Sequence, residues 1–276
     1  MERRIIVSGG DQIRELIMPE AVQRRCVRLE GALALAARDE SLFCACGDVI
    51  WRLEASRLVP AGLFAGGPGV CQLALSPCGK RLYALLEDAD SLLMLDALSG
   101  APLVVNRVGV CPRAMAMDEE GEIVAVAGGE CAQTVLLCAK TLDVLSQLPM
   151  PGMVYAVALS GGTVYSLSLN DTLNTTLTTV SPGGVCRSLA LSGMPGALCL
   201  SGGLLLAATH GYLYTIAPDG SRVLCRRSAA GRARRLFACG GQLLVCDMLG
   251  EAVFALDEGQ GNWRMIGESA VDAAIL

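Results

Sequence analysis

Apolar and polar positions alternate with a period of two along most of the chain, in short runs separated by glycine-bearing turns. That alternation is the signature of strands and hairpins. Seven of the runs resemble one another, each a brief apolar strand with a small residue near its middle. They are Leu33-Ala34-Leu35, Leu73-Ala74-Leu75, Met115-Ala116-Met117, Val157-Ala158-Leu159, Leu198-Cys199-Leu200, Phe237-Ala238-Cys239 and Ala273-Ala274-Ile275. Their small residues lie 40, 42, 42, 41, 39 and 36 positions apart. A strand-built repeat near forty residues predicts a β-propeller.

Three further strands follow the small-residue strand in each period. In the clearest unit, strand A is Cys71–Ser76, B is Arg81–Leu86, C is Ser91–Asp96 and D is Pro102–Val108. The next unit reads Arg113–Met117, Ile123–Ala127, Thr134–Cys138 and Val144–Met150. Turn glycines recur soon after the small residue, at Gly79, Gly121 and Gly161. The two ends are complementary. The first strands read as B (Arg4–Ser8), C (Gln12–Met18) and D (Arg24–Leu29), and the last run, Val271–Leu276, reads as an A strand.

Joined, the ends make one blade and remove a free sheet edge. The expectation is an all-β, seven-bladed propeller with four-stranded blades, closed by the C-terminal strand A. The blades fall at 271–276 with 3–30, then about 31–69, 70–110, 111–152, 153–196, 197–231 and 232–270, in a single domain. With 276 residues that is about 39 per blade, an ordinary size. The small residues are explained structurally: strand A lines the centre, where converging sheets leave least room.

Composition alters this picture in few places. The mean hydropathy is positive, +0.49, yet charges or turn residues interrupt every apolar stretch before a membrane-spanning length is reached. Sheets covered on both faces account for the excess. The start, Met1 to Gly9, has too short an apolar core for a secretory signal, so a cytoplasmic protein is expected. Thirteen cysteines form an odd set, most of them inside apolar strands, which suits small buried hydrophobes in a reducing compartment. Cys44-Ala45-Cys46 places two thiols on one strand face, either as core filling or as a metal or redox pair.

Net charge is −5, which does not favour nucleic acid. Arg226, Arg227, Arg232, Arg234 and Arg235 form the one basic cluster, read as a solvated loop between blades or a seat for phosphate or carboxylate.

The run Leu75-Ser76-Pro77-Cys78-Gly79-Lys80-Arg81-Leu82-Tyr83, with Leu93-Met94-Leu95-Asp96 and Leu98-Ser99-Gly100, resembles the YVTN-repeat propellers. So does Val108-Gly109-Val110-Cys111-Pro112-Arg113-Ala114-Met115-Ala116, which follows their interblade pattern. The resemblance covers roughly residues 70 to 150, with Tyr83-Ala84-Leu85-Leu86 where the family tetrad would stand. It implies a lactonase-like, seven-bladed propeller family whose members include lactone hydrolases and proteins of no known activity. A shared fold carries no chemistry by itself.

On the propeller plan, the D-to-A and B-to-C loops share the face around the tunnel mouth. Strand A starts contribute Cys71, Arg113, Tyr155, Arg235 and Asp272, and the B-to-C loops contribute Asp11, Asp48, Glu87, Asp88, Asp90, Glu130, Asn170, Asp171, His210 and Asp247. The candidate ligand-binding set is Arg113, Tyr155, Arg235, Asp272 and His210. An arginine fork there could clamp an anion, or the charges could simply pair across blades. His210, the one histidine, is a candidate general base with Asp247 as partner, or else a loop residue. Glu87, Asn170, Asp171 and Asp247 are the candidate ligands for a divalent cation such as Ca or Mg. The six-bladed gluconolactonase-like enzymes use such a set, and a seven-fold count departs from them.

The function expected is non-enzymatic: a binding or scaffold propeller for a protein partner or a small anionic ligand. It would be monomeric, with no cofactor and no nucleic-acid or membrane partner. A metal-assisted, lactonase-like hydrolase or lyase is the alternative. An extracellular surface role fits poorly with free thiols.

Overall fold

The computed structural model describes every residue except 1, 2, 10, 19, 130, 230, 240, 241, 248–251, 258–261 and 269. Its strands form seven four-stranded antiparallel sheets, taken here as blades 1 to 7. Blade 1 runs β28-β1-β2-β3, from β1 (Arg3–Gly9), β2 (Gln12–Met18), β3 (Val22–Arg28) and β28 (Asp272–Ile275). Blade 2 holds β4 (Ala32–Arg38), β5 (Ser41–Cys46), β6 (Val49–Glu54) and β7 (Val59–Ala65). Blade 3 holds β8 (Val70–Leu75), β9 (Arg81–Leu86), β10 (Ser91–Asp96) and β11 (Pro102–Arg107). Blade 4 holds β12 (Pro112–Met117), β13 (Ile123–Gly128), β14 (Gln133–Cys138) and β15 (Val144–Pro149).

Blade 5 holds β16 (Met153–Ser160), β17 (Thr163–Leu169), β18 (Thr175–Val180) and β19 (Cys186–Leu191). Blade 6 holds β20 (Pro195–Ser201), β21 (Leu204–Thr209), β22 (Tyr212–Ile216) and β23 (Val223–Ser228). Blade 7 holds β24 (Ala233–Cys239), β25 (Gln242–Asp247), β26 (Ala252–Asp257) and β27 (Trp263–Gly267). The fold is a seven-bladed β-propeller. Among the described residues no helix is long and apolar enough to cross a membrane.

By contacts the chain divides into two compact units, Met1–Arg107 with Cys239–Leu276, and Val108–Ala238. In the first, β28 joins the N-terminal strand. Ile5 pairs with Ile275, Ile6 with Ala274, Val7 with Ala273 and Ser8 with Asp272. Backbone bonds from Val271 N to Ser8 O (2.7 Å) and from Leu276 N to Arg4 O (3.0 Å) extend the match at both ends. Asp272 fastens this strand to the next blade, since its Oδ2 accepts the Leu35 N–H at 2.9 Å. The strand is shorter than the sequence suggests, Asp272–Ile275 in place of Val271–Leu276, and the first D strand begins earlier, at Val22.

The core lies between successive blades. Ile6, Ile13, Leu35, Leu42, Cys44 and Leu53 fill the space between blades 1 and 2. Phe43, Phe64, Leu73, Leu82 and Leu95 fill the space between blades 2 and 3, with the two phenylalanine rings 5.9 Å apart. In the second unit, Val126-flanking Ala125 and Ala127 pack with Val154, Val157 and Leu159, and Tyr165 and Leu167 pack with Leu205 and Tyr214. Middle strands are covered on both faces, so β9 and β10 are almost wholly buried, while the outermost β11 shows every other residue to solvent. Among the repeated small residues, Ala34 and Ala158 are buried in these interblade clusters, whereas Ala238 is exposed.

The A-to-B turns explain the repeated glycines. Ser76 Oγ accepts Arg81 N at 3.0 Å, and Gly79 N reaches Ser76 O at 2.8 Å. Asp118 plays the serine's part in blade 4, accepting Glu122 N and Ile123 N, with Gly121 in the glycine's place. Both glycines have positive φ, 70° and 72°, which a residue with a side chain adopts at a cost.

The basic cluster departs from the expected loop. Arg226 and Arg227 lie in the outermost strand β23, and Arg234 and Arg235 lie in β24. Arginine fits an exposed edge strand because its charge discourages pairing with another chain. Arg226 stacks over Tyr212, 4.9 Å from the ring centroid.

Candidate functional site

Six of the D-to-A linkers are tied by backbone hydrogen bonds to a neighbouring B-to-C turn. In the first unit, Leu29 N donates to Asp11 O, Gly66 N and Gly67 N donate to Asp48 O, and Glu87 N donates to Gly69 O. In the second, Gly129 N donates to Cys111 O, Met150 N to Ala132 O, His210 N to Met194 O and Ala229 N to Gly211 O. Within each unit these two sets of loops therefore lie at the same end of the blades.

The inner strands share a second feature at that end. Pairing slips by one residue near the start of β4, β8, β12, β16 and β20, leaving an extra residue out of the ladder. The residues so displaced are Leu33, Cys71, Arg113, Tyr155 and Gly196. A β-bulge of this kind re-aims a side chain that the pleat would otherwise hold against a neighbouring sheet. The expected strand-start residues Cys71, Arg113 and Tyr155 are thus bulge residues. Leu33 and Gly196 are further members that the sequence did not single out; their regular spacing from Cys71 and Tyr155 was the available signal.

In the unit Val108–Ala238 these bulges build a cluster. The Arg113 guanidinium sits over the half-buried Tyr155 ring, 5.6 Å from its centroid, and that of Arg232 sits 5.8 Å from the same centroid. Both lie within the range of a cation–π attraction, on the order of 0.5–1 kcal/mol at such a site. Two glycines make room for them. A Cβ on Gly129 would stand 3.1 Å from Arg113 Cδ and Nε, so the arginine stem crosses a bare backbone. A Cβ on Gly196 would stand 2.6 Å from Ala233 O and 2.9 Å from Ala208 O, so this bulge residue lets the chain next to Arg232 approach closely. Among the described residues Arg113 forms no ion pair.

The other expected site residues are placed differently. Arg235 is half-buried in β24. Asp272 is 2% exposed, and its two oxygens accept the N–H groups of Leu35 and Ala273. His210 is exposed, just beyond the end of β21, while Asp247 ends β25 and is buried. These two belong to different units. Asn170 turns its Oδ1 onto its own loop, accepting Thr172 N, Thr172 Oγ1 and Asn174 N at 3.1, 2.8 and 2.9 Å. Asp171, Glu87 and Asp88 are exposed loop residues. Asp90 faces Arg107 at 3.7 Å, and Asp11 accepts Gly31 N. Glu130 lies outside the described residues. Among the described residues no three His, Cys, Asp or Glu side chains group closely enough to hold a metal ion.

Cys44 and Cys46 lie in the core with sulfurs 3.7 Å apart. Their shared hydrogen bond and burial push the Cys44 thiol up, while the same bond lowers that of Cys46. Cys199, by contrast, is pushed up to about 12 by burial alone.

No family model matches the chain, and no curated protein matches it. Solved structures do. A functionally unknown protein from Desulfotomaculum acetoxidans is similar over 100% of this chain and 99% of its own, with a TM-score of 0.83 and 9% identity. Hydrazine synthase from Kuenenia stuttgartiensis is similar over 95% of this chain and 91% of its own, with a TM-score of 0.72 and 13% identity. Likeness at these identities is one of fold. What the chain shares with both is the seven-bladed β-propeller.

Proposed function

We propose that this chain is a non-enzymatic binding propeller that takes an anionic group, from a small ligand or a protein partner, at Arg113, Tyr155 and Arg232. The observation that carries the reading is the pair of guanidiniums over one half-buried tyrosine ring, at 5.6 and 5.8 Å. Planar guanidinium forks suit carboxylate and phosphate oxygens, and charge-assisted bonds are stronger than neutral ones. The ring holds the forks in place before a ligand arrives, which lowers the ordering cost of binding. Along with this reading go a single, monomeric seven-bladed domain, a cytoplasmic setting and kinship with the YVTN-repeat propellers. No cofactor and no nucleic-acid or membrane partner is invoked.

The test is calorimetric titration with citrate, inorganic phosphate and a sugar phosphate. Arg113→Gln and Arg232→Gln are each expected to weaken the best of these anions about tenfold, the effect of one charge-assisted bond of about 1.5 kcal/mol. Binding should also weaken as salt rises from low to moderate ionic strength, and His210→Gln should leave it unchanged. Affinity unchanged from the unaltered protein in both arginine variants would overturn the proposal.

Gly196→Ala supplies a separate check on the geometry. The added methyl meets backbone oxygens that cannot swing aside, so the segment carrying Arg232 must shift. The expected result is a several-fold loss of anion affinity with the affinity of Arg232→Gln unchanged by adding Gly196→Ala. Full additivity of the two substitutions would show that Gly196 does not act through Arg232.

A further inference from the structure

We infer that Cys44 and Cys46 form a two-thiolate seat for a soft divalent cation of the zinc–cadmium class. Both residues lie in β5, two positions apart on one face, with their sulfurs turned toward each other at 3.7 Å. A metal–sulfur bond of about 2.3 Å subtends roughly 107° across that gap, close to the tetrahedral angle such ions adopt. A disulfide fits less well. Two residues of extended strand span about 6.8 Å, the outer limit for the Cα atoms of a disulfide. A bridging ion needs no bend in the strand.

The surroundings suit the ion's charge. The pair belongs to the buried apolar cluster that also holds Ile13, Leu35, Leu42 and Leu53, where a neutral assembly is the least costly to bury. Two thiolates and one divalent cation are neutral together. Binding exchanges two S–H bonds for two metal–sulfur bonds and releases both protons to solvent. Since no third side chain completes the set among the described residues, water or a small ligand fills the remaining positions. Entry is short: Cys46 ends its strand, and the Gly47-Asp48 turn beyond it is exposed.

The experiment is titration of the reduced full-length protein with Cd²⁺, read by the ultraviolet absorbance of cadmium–thiolate bonds. Cys44→Ala and Cys46→Ala, which keep the pocket small and apolar, should each weaken the tightest-binding equivalent at least tenfold. Cys199→Ala should leave it intact. A first equivalent unchanged in Cys44→Ala would overturn the assignment. A readout on the unaltered protein guards against misfolded variants. Saturating Cd²⁺ should slow maleimide labelling of Cys46, followed by peptide mapping, at least tenfold, and an unchanged rate would equally overturn it.

Discussion

Removal of residues 271–276 is expected to lower the melting temperature by about 10 °C or more. The strand lost is β28, the inner strand of blade 1. Without it Ile5, Ile6 and Val7, all 0% exposed, lose their ladder partners and a share of their cover. The clamp from Asp272 to the Leu35 N–H goes as well. Burying a large aliphatic side chain contributes about 1.5–3 kcal/mol. Partial exposure of three of them plus a lost buried hydrogen bond thus comes to about 4 kcal/mol. For a chain of this size each kcal/mol is about 2–4 °C. Circular dichroism melts of the full and shortened chains decide it, and equal midpoints would refute the pairing of β28 with β1.

Glu15→Ala is expected to cost about 3 kcal/mol. The Glu15 side chain is fully buried, bonded to Arg4 Nε, with Arg25 Nε 3.7 Å away. Arg4 also donates to Ala55 O, so the carboxylate orients a side chain that bridges blades 1 and 2. Breaking a buried ion pair from one side costs about 3–5 kcal/mol, because a charge is left without compensation. The lower end applies here, since the two arginines are 25% and 33% exposed and can regain water. Glu15→Gln keeps the shape and isolates the charge. Denaturant unfolding of the two variants measures the loss. A change below about 1 kcal/mol in Glu15→Ala, the level of an exposed pair, would show that the pair is not stabilising.

The sequence carried most of the architecture because a repeat multiplies weak signals. β9, β10 and β2 begin and end where alternation and turn residues say they do. Edges were less legible. The first D strand starts at Val22, since an exposed outer strand needs little apolar character and leaves no clear mark. For the same reason Arg226 and Arg227 read as loop although they stand in β23.

The candidate site was legible by residue and not by arrangement. Arg113 and Tyr155 stood out through their place at the start of strand A. The bulge that releases them from the ladder depends on pairing with the adjacent strand, which no local pattern announces. Arg232 was visible only as part of a charge run; its approach to Tyr155, like the close packing of Gly196 on Ala233 beside it, is a tertiary contact between distant stretches of chain. Asp272 shows the opposite case. A carboxylate at a strand start suggests a ligand contact, and the fold uses it to hold two blades together.

The most direct test of the proposed anion site is a crystal soaked in selenate, with diffraction recorded at the selenium edge. An anomalous peak within hydrogen-bonding reach of both the Arg113 and Arg232 guanidiniums, beside the Tyr155 ring, is the expected result. Peaks only elsewhere on the molecule, with those two side chains accessible in the crystal, would contradict the account.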